Sequence, residues 1–320
     1  MRLARIMRLW GLGAMLVISG CSNNFTSPDL DRTASVNAHA AGGETFELGD
    51  FALYMPATAD APRAVIVALG GPNTRGFVTG ESFGAPLPEV ELALQAMGQS
   101  LRALAAEHRI AILGTSFFGP APLPPSAESD ELIFDALRDG AEASGRPGLT
   151  GVPILLYGIS GGSSEAARFA ERYPERVAGL FLKVPEVAPT MTTEAQRQIP
   201  VFIAQAELDA FVDNAAVAAT FSSNRANGAV WALAKEGGVP HHALTPVHRQ
   251  NTIAWMDGVL DRRIAGGSGR IKESIEQSGW LGNPSNGGIS AWGAYGGDRS
   301  TANWLPTQAA AEQWRALAGF

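Results

Sequence analysis

The residues with the most chemistry to offer are one serine, a short run of carboxylates and a group of histidines. Ser160 stands in Gly158-Ile159-Ser160-Gly161-Gly162, between an apolar run at 153–157 and a helical pattern at 163–173 that stops before Pro174. Strand, tight turn and helix in that order hold a serine in a strained backbone conformation with its hydroxyl presented outward. Glycine is needed on both sides because strand and helix pass too close for a Cβ. Such a hydroxyl becomes a nucleophile when an imidazole accepts its proton and a carboxylate orients that imidazole. Glu207, Asp209 and Asp213 follow an apolar run at 200–206, and His241, His242 and His248 follow another at 229–234; His39 and His108 complete the five histidines. With 37 glycines in 320 residues the serine pattern also arises by chance, and a second copy stands at Gly80-Glu81-Ser82-Phe83-Gly84. Ser82 follows a Gly and Thr loop and runs into Pro86 and Pro88, so it lacks both flanking elements.

The elements that would position these groups alternate. Apolar runs at 64–69, 110–115, 153–157, 177–183, 200–206 and 229–234 predict strands, and amphipathic patterns at 90–107, 128–144, 163–173, 214–224 and 250–263 predict helices. Several runs are continuously apolar, as in a parallel sheet covered on both faces. The alternation predicts an α/β fold, a doubly wound and mostly parallel sheet with right-handed crossovers. Residues 116–127 hold Phe117, Phe118 and several prolines and read as a loop at a strand end, a pocket wall. From Gly266 to the last residue the chain is rich in Gly, Asn and Trp. We expect an irregular extension over 266–320 that packs Trp280, Trp292, Tyr295, Trp304 and Trp314 onto the domain, the alternative being a sugar-stacking surface.

Arg2, Arg5 and Arg8 precede an apolar stretch at 9–18 and then Ser19-Gly20-Cys21, the order of a secretory signal. The stretch is shorter than the roughly 20 residues a membrane span needs. Ile18-Ser19-Gly20-Cys21 resembles the bacterial lipobox, which implies removal of residues 1–20, a lipid on Cys21, a polar tether over 21–43, and membrane attachment in the cell envelope. Ser22 after the cysteine resembles the outer-membrane class. The formal net charge of −7 offers nothing to nucleic-acid phosphates. One cysteine forms no internal disulfide, and one thiol with five histidines leaves little for a zinc or iron site. No metal is expected.

The turn around Ser160 resembles the nucleophile elbow of the α/β-hydrolases, and the likeness extends over about residues 46–264. Within that superfamily, Leu53-Tyr54-Met55-Pro56, Ala143-Ser144-Gly145-Arg146-Pro147 and Tyr157-Gly158-Ile159-Ser160-Gly161-Gly162 resemble secreted esterases of the feruloyl-esterase and polyhydroxyalkanoate-depolymerase kind, with Ile159 where a histidine is usual. The resemblance implies one domain over 44–265 and the chain order serine, acid, histidine. It implies Asp209 as the acid, from the likeness of Ala206-Glu207-Leu208-Asp209-Ala210-Phe211-Val212 to a strand followed by G-x-x-D-x-x-V. Asp213 is then a helix cap and Glu207 a weaker substitute. It implies His241 as the base, from Gly238-Val239-Pro240-His241, with His242 as the alternative and His248 on the surface. One oxyanion donor is the Gly161 N–H. The other belongs to Gly70-Gly71-Pro72-Asn73, where Pro72 has no N–H and Asn73 or Gly71 is left. The implied activity is hydrolysis of a small-molecule or polymer-linked carboxylic ester through an acyl-enzyme, without a cofactor. The alternative is a non-catalytic envelope protein that binds polysaccharide through its aromatic tail.

Overall fold

The computed structural model describes residues 42–70, 73–85, 87–116, 127–264 and 269–320. The expected signal and lipobox, the tether up to residue 41, and Phe117 and Phe118 lie outside the described residues. No helix among the described residues is long and apolar enough to cross a membrane.

A hairpin, β1 (Gly43–Leu48) and β2 (Phe51–Pro56), opens the sheet. There follow β3 (Val65–Gly70), the short α1 (Gly76–Thr79), α2 (Pro88–His108), β4 (Ala111–Thr115), α3 (Ala127–Ser144), β5 (Ile154–Ile159) and α4 (Gly161–Arg172). Next come β6 (Val177–Lys183), α5 (Glu194–Arg197), β7 (Val201–Ala206), α6 (Asn214–Ala226), β8 (Trp231–Glu236) and α7 (Pro246–Arg263). The eight strands form one sheet in the order β1-β2-β4-β3-β5-β6-β7-β8. Strands β3 to β8 are parallel, and β2 pairs antiparallel with β4. The fold is the expected doubly wound, mostly parallel α/β sheet. The hairpin is not among the expected strands: β1 is largely exposed, and only Phe46 and Leu48 of it turn toward the core.

Strands β3 to β7 are buried at every position because helices cover both faces. On one face Tyr157, Phe181 and Phe202 meet Trp255 and Val259 of α7 and Met97 of α2. Phe181 and Phe202 stack at 4.9 Å, and Trp255 meets both edge-on. On the other face Leu156, Leu180 and Val201 meet Leu137 of α3, Phe169 of α4 and Val217 of α6. Helix α7 starts four residues before the expected position because Thr245 caps it: its side chain accepts the His248 N–H at 3.1 Å, and Pro246 occupies the first turn.

The extension is more regular than its composition predicts. Three short strands, β9 (Trp280–Gly282), β10 (Ile289–Ala291) and β11 (Asn303–Leu305), form a second antiparallel sheet, and α8 (Gln308–Leu317) follows. Trp304 and Trp314 are buried, and the Arg299 guanidinium lies 4.0 Å from the Trp292 ring centroid. The extension meets the outer edge of β8 through side chains. The Leu233 N–H donates to Asn303 Oδ1 at 2.7 Å, and the Leu233 carbonyl accepts Trp314 Nε1–H at 2.9 Å.

Arg225 of α6 ties the same region together. Its buried guanidinium donates to the carbonyls of Ala302 (2.7 Å), Arg299 (2.6 Å) and Ala229. Burial, only partly offset by Glu276 and Asp298, pulls its pKa down to about 10. Arg225→Met takes the guanidinium from the Ala302 and Arg299 carbonyls, while Ala229 O keeps the Trp231 N–H at 3.0 Å, and should cost about 2 kcal/mol or more, read as a lower urea midpoint. Arg225→Lys should recover only part of this, since an ammonium cannot reproduce the planar fork.

Candidate active site

The local sequence dictates the elbow. Ser160, between β5 and α4, has φ 54° and ψ −127°, a conformation that costs of order 1–3 kcal/mol for a residue with a Cβ. It is held there by its N–H donating to Lys183 O (2.9 Å) and its carbonyl accepting the Ser163 N–H (2.8 Å). A Cβ on Gly162 would overlap the backbone of Leu69 and Gly70, and one on Gly158 would overlap that of Ser163. These two glycines let α4 rest directly on β3 and β5.

Two loops deliver the partners of Ser160, and they are bonded to each other. The Glu207 N–H donates to Glu236 O and the Leu208 N–H to Val239 O, both at 3.0 Å, while Glu207 Oε2 accepts the Gly238 N–H at 2.8 Å. The residue held as a substitute acid therefore braces the histidine loop. Asp213 caps α6 as expected, accepting from Ala215 and Ala216 N–H at 3.0 Å each.

The structure brings Ser160, His241 and Asp209 together. His241 Nε2 lies 2.9 Å from Ser160 Oγ, and His241 Nδ1 lies 2.7 Å from Asp209 Oδ2. With Nδ1–H donating to the carboxylate, Nε2 is free to accept the serine proton. Asp209 Oδ1 accepts the Phe211 N–H at 2.8 Å and the Val212 N–H at 3.2 Å. Burial works to raise the pKa of Asp209, but the Phe211 N–H, His241 and the Val212 N–H together hold it below the usual carboxylate value. His242 is exposed and takes no part in this chain. Partial burial, then the neighbouring His241, lowers its pKa.

His248, expected on the surface, is fully buried, its ring edge-on to Phe181 at 5.6 Å. The Thr245 cap draws residue 248 into the first turn of α7, where it faces the sheet. Burial first, and Lys183 second, hold its pKa well below the usual value. An unfolded histidine takes up its proton near pH 6.5, so below that pH the unfolded chain binds more protons than the folded one. Stability should therefore fall on acidification from about pH 6.5, by at most about 1.4 kcal/mol per pH unit from this group. Urea denaturation at about pH 7 and about pH 5.5 should show a smaller difference for His248→Phe than for the wild-type chain.

The oxyanion donors divide. Gly161 opens α4, where the leading N–H groups have no intrahelical acceptor, and it follows the nucleophile directly. Asn73, the expected second donor, is engaged within the protein: its N–H donates to Phe83 O at 3.3 Å, and its Oδ1 accepts the Arg75 N–H at 3.2 Å. The carbonyl that engages it comes from the loop before α2, a tertiary contact with no local signal. Gly71 lies outside the described residues. Ser82 sits in that same loop, exposed, its Oγ accepting the Gly84 N–H at 3.1 Å.

A cavity of about 250 Å³ opens over Ser160 and His241, walled by Ala85, Leu87, Val90, Leu94, Ile159 and Leu244. Periodicity assigns Val90 and Leu94 to a helix face, but nothing in the sequence says that α2 passes over the nucleophile. Lys183 also lines the cavity. Glu107, His108 and Asp257 place ligand-type atoms within 4.8 Å of one another, but His108 Nε2 is already bonded to Asp257 Oδ1 at 2.7 Å and joins α2 to α7.

No protein-family model matches the sequence, and no curated protein matches it. Among solved structures the chain is similar to a protein of Thermus thermophilus at 18% identity and a TM-score of 0.45, over 70% of this chain and 99% of that one. It is similar to a fungal esterase of Rhizomucor miehei at 16% identity and a TM-score of 0.45, over 69% and 82%. A thermostable esterase of Pseudomonas putida is similar at 14% identity and a TM-score of 0.44, over 70% and 83%.

Proposed function

We propose that the protein is a serine hydrolase of carboxylic esters. The observation that carries this reading is the unbroken chain of hydrogen bonds from Ser160 through His241 to Asp209 at the base of an apolar cavity. Ser160 Oγ attacks the acyl carbon as His241 Nε2 takes its proton, and the Gly161 N–H meets the oxyanion. The tetrahedral adduct collapses as His241 protonates the departing alkoxide. Water, activated by the same imidazole, then releases the acid and frees Ser160. Asp209 keeps Nδ1–H pointed away from the reaction and offsets the imidazolium charge.

The walls favour an apolar acyl or alcohol group. Apolar side chains are also exposed beside the cavity: Leu87 of the cavity wall, and Phe211, 75% exposed, whose ring lies 5.2 Å from that of His241 and 5.9 Å from that of His242. Lipid attachment at Cys21 belongs to the same proposal and would hold the enzyme at an envelope membrane. Cys21→Ser should abolish fatty-acid labelling. The direct test of the activity is a fluorophosphonate probe followed by a panel of neutral esters graded by acyl length. Labelling at Ser160 and a rate optimum within the aliphatic series are expected. A folded protein that is not labelled, or one that binds polysaccharide without cleaving any ester, overturns the reading.

A further inference from the structure

The loop that carries the base, 237–245, runs from β8 to α7. Its first part is held by the acid loop, with the Gly238 N–H on Glu207 Oε2 and Val239 O on the Leu208 N–H. From Pro240 to Leu244, by contrast, the backbone makes among the described residues one hydrogen bond, a turn in which the Ala243 N–H donates to Pro240 O at 3.1 Å. His241 lies inside that turn. A bond internal to a turn fixes its shape and not its place, so the place of His241 depends on how the far end of the loop is held.

The far end is Thr245, and its hydroxyl is engaged twice. Oγ1 accepts the His248 N–H at 3.1 Å, which caps α7, and donates its own proton to Glu236 Oε1. Glu236 is the last residue of β8, so this bond joins the residue before the loop to the residue that closes it. The glutamate is itself fixed: it is buried, it pairs with Ala206 in the β7–β8 register, and its carbonyl accepts the Glu207 N–H at 3.0 Å. A carboxylate suits the position, because a helix N-terminus favours an anion and a hydrogen bond to a carboxylate is stronger than one to a neutral acceptor. A cap alone needs only the threonine oxygen. The buried glutamate is thus beyond what α7 requires, and burying such a group is costly.

We propose that Glu236, acting through Thr245, is a positioning residue that holds His241 against Ser160. This rests on the triad reading. The imidazole nitrogens are taken by Asp209 and Ser160, so the glutamate decides where the base stands and not what it bonds to. A misplacement of about 1 Å at a reacting group costs on the order of 10²-fold in rate. Substrate binding is largely spared, since Ala85, Leu87, Val90 and Leu94 of the cavity wall lie outside this loop.

The test compares Glu236→Ala, Thr245→Val and their double variant with the conservative Glu236→Gln and Thr245→Ser. Steady-state rates on a neutral ester and the rate of fluorophosphonate labelling are followed, with near-UV circular dichroism as the check on folding. Glu236→Ala and Thr245→Val should each lower kcat about tenfold or more and change KM by no more than about twofold. Labelling should slow by the same factor as kcat. The double variant should be no slower than the slower single one, because both remove one bond. Glutamine and serine, which keep an acceptor and a hydroxyl, should restore most of the rate. An unchanged kcat in folded variants, a change confined to KM, losses that multiply in the double variant, or no recovery with glutamine and serine would each overturn the proposal. If Glu236→Ala does not fold, Thr245→Val against Thr245→Ser decides, since valine keeps the shape of threonine and lacks only the hydroxyl. A wild-type protein that is neither labelled nor active removes the triad reading and this proposal with it. A labelled wild type whose rate is indifferent to the bond overturns only the latter.

Discussion

Ser160→Ala should remove the proposed ester hydrolysis and fluorophosphonate labelling while leaving the fold in place. Losing the nucleophile of a triad lowers kcat by a factor on the order of 10⁵ or more, because the remaining groups have no covalent step to support. Stability should hardly change. Among the described residues the hydroxyl bonds to His241 Nε2, and alanine keeps the Cβ that makes φ 54° unfavourable. Ser160→Gly separates these contributions: equally inactive, it should melt at a higher temperature than Ser160→Ala because glycine adopts positive φ without strain. Ser82→Ala should change neither rate nor melting. A large loss of activity at Ser82, or retained labelling in Ser160→Ala, would show the nucleophile to be elsewhere.

The next largest effects are expected at the base and the acid. His241→Ala should lower kcat on the order of 10⁴ or more, whereas His242→Ala, an exposed ring outside the hydrogen-bond chain, should cost only a few-fold. Asp209→Asn should be nearly as damaging as His241→Ala, for a geometric reason. The Phe211 and Val212 N–H groups both donate to Oδ1, so in the variant they select the carbonyl oxygen of the new amide and turn its NH₂ toward His241. The imidazole then has to accept at Nδ1, which puts its proton on Nε2, facing Ser160. A base in that tautomer cannot take the serine proton. Steady-state rates for the three variants decide the matter, and a deep loss at His242 with a mild one at His241 would contradict the observed hydrogen bonds.

What could be read from the sequence follows the range of each interaction. The elbow is legible because everything that makes it is local: an apolar strand, glycines at 158 and 162, and a helix that begins at once. Asp209 and His241 follow strand ends, so chain order and loop pattern are enough to find them. His248 was misjudged because its orientation depends on where α7 begins, and that is decided by Thr245 outside the periodic pattern. The bond from the Asn73 N–H to Phe83 O, ten residues away across an irregular loop, has no local signal either. Val90, Leu94 and Leu244 are ordinary apolar positions until α2 and the base loop are folded over Ser160. The strands of the extension are three residues each, too short for a period of two to register against a background of glycine and tryptophan.

The side-chain bonds between the extension and Leu233 have a consequence for the order in which the molecule can be completed. Asn303 and Trp314, made later than the rest of the sheet, satisfy the N–H and carbonyl of Leu233 on the outer edge of β8, and the loop bearing His241 departs from the end of that strand. Until they arrive, β8 is an open strand edge, the kind of surface that pairs with other chains. A chain stopped near residue 265 would contain Ser160, Asp209 and His241, yet its last strand would be free to associate with its own copies. The base loop would then rest on an edge that nothing seals. The support of the His241 loop is thus tied to residues beyond 300, although Ser160, Asp209 and His241 are already present long before.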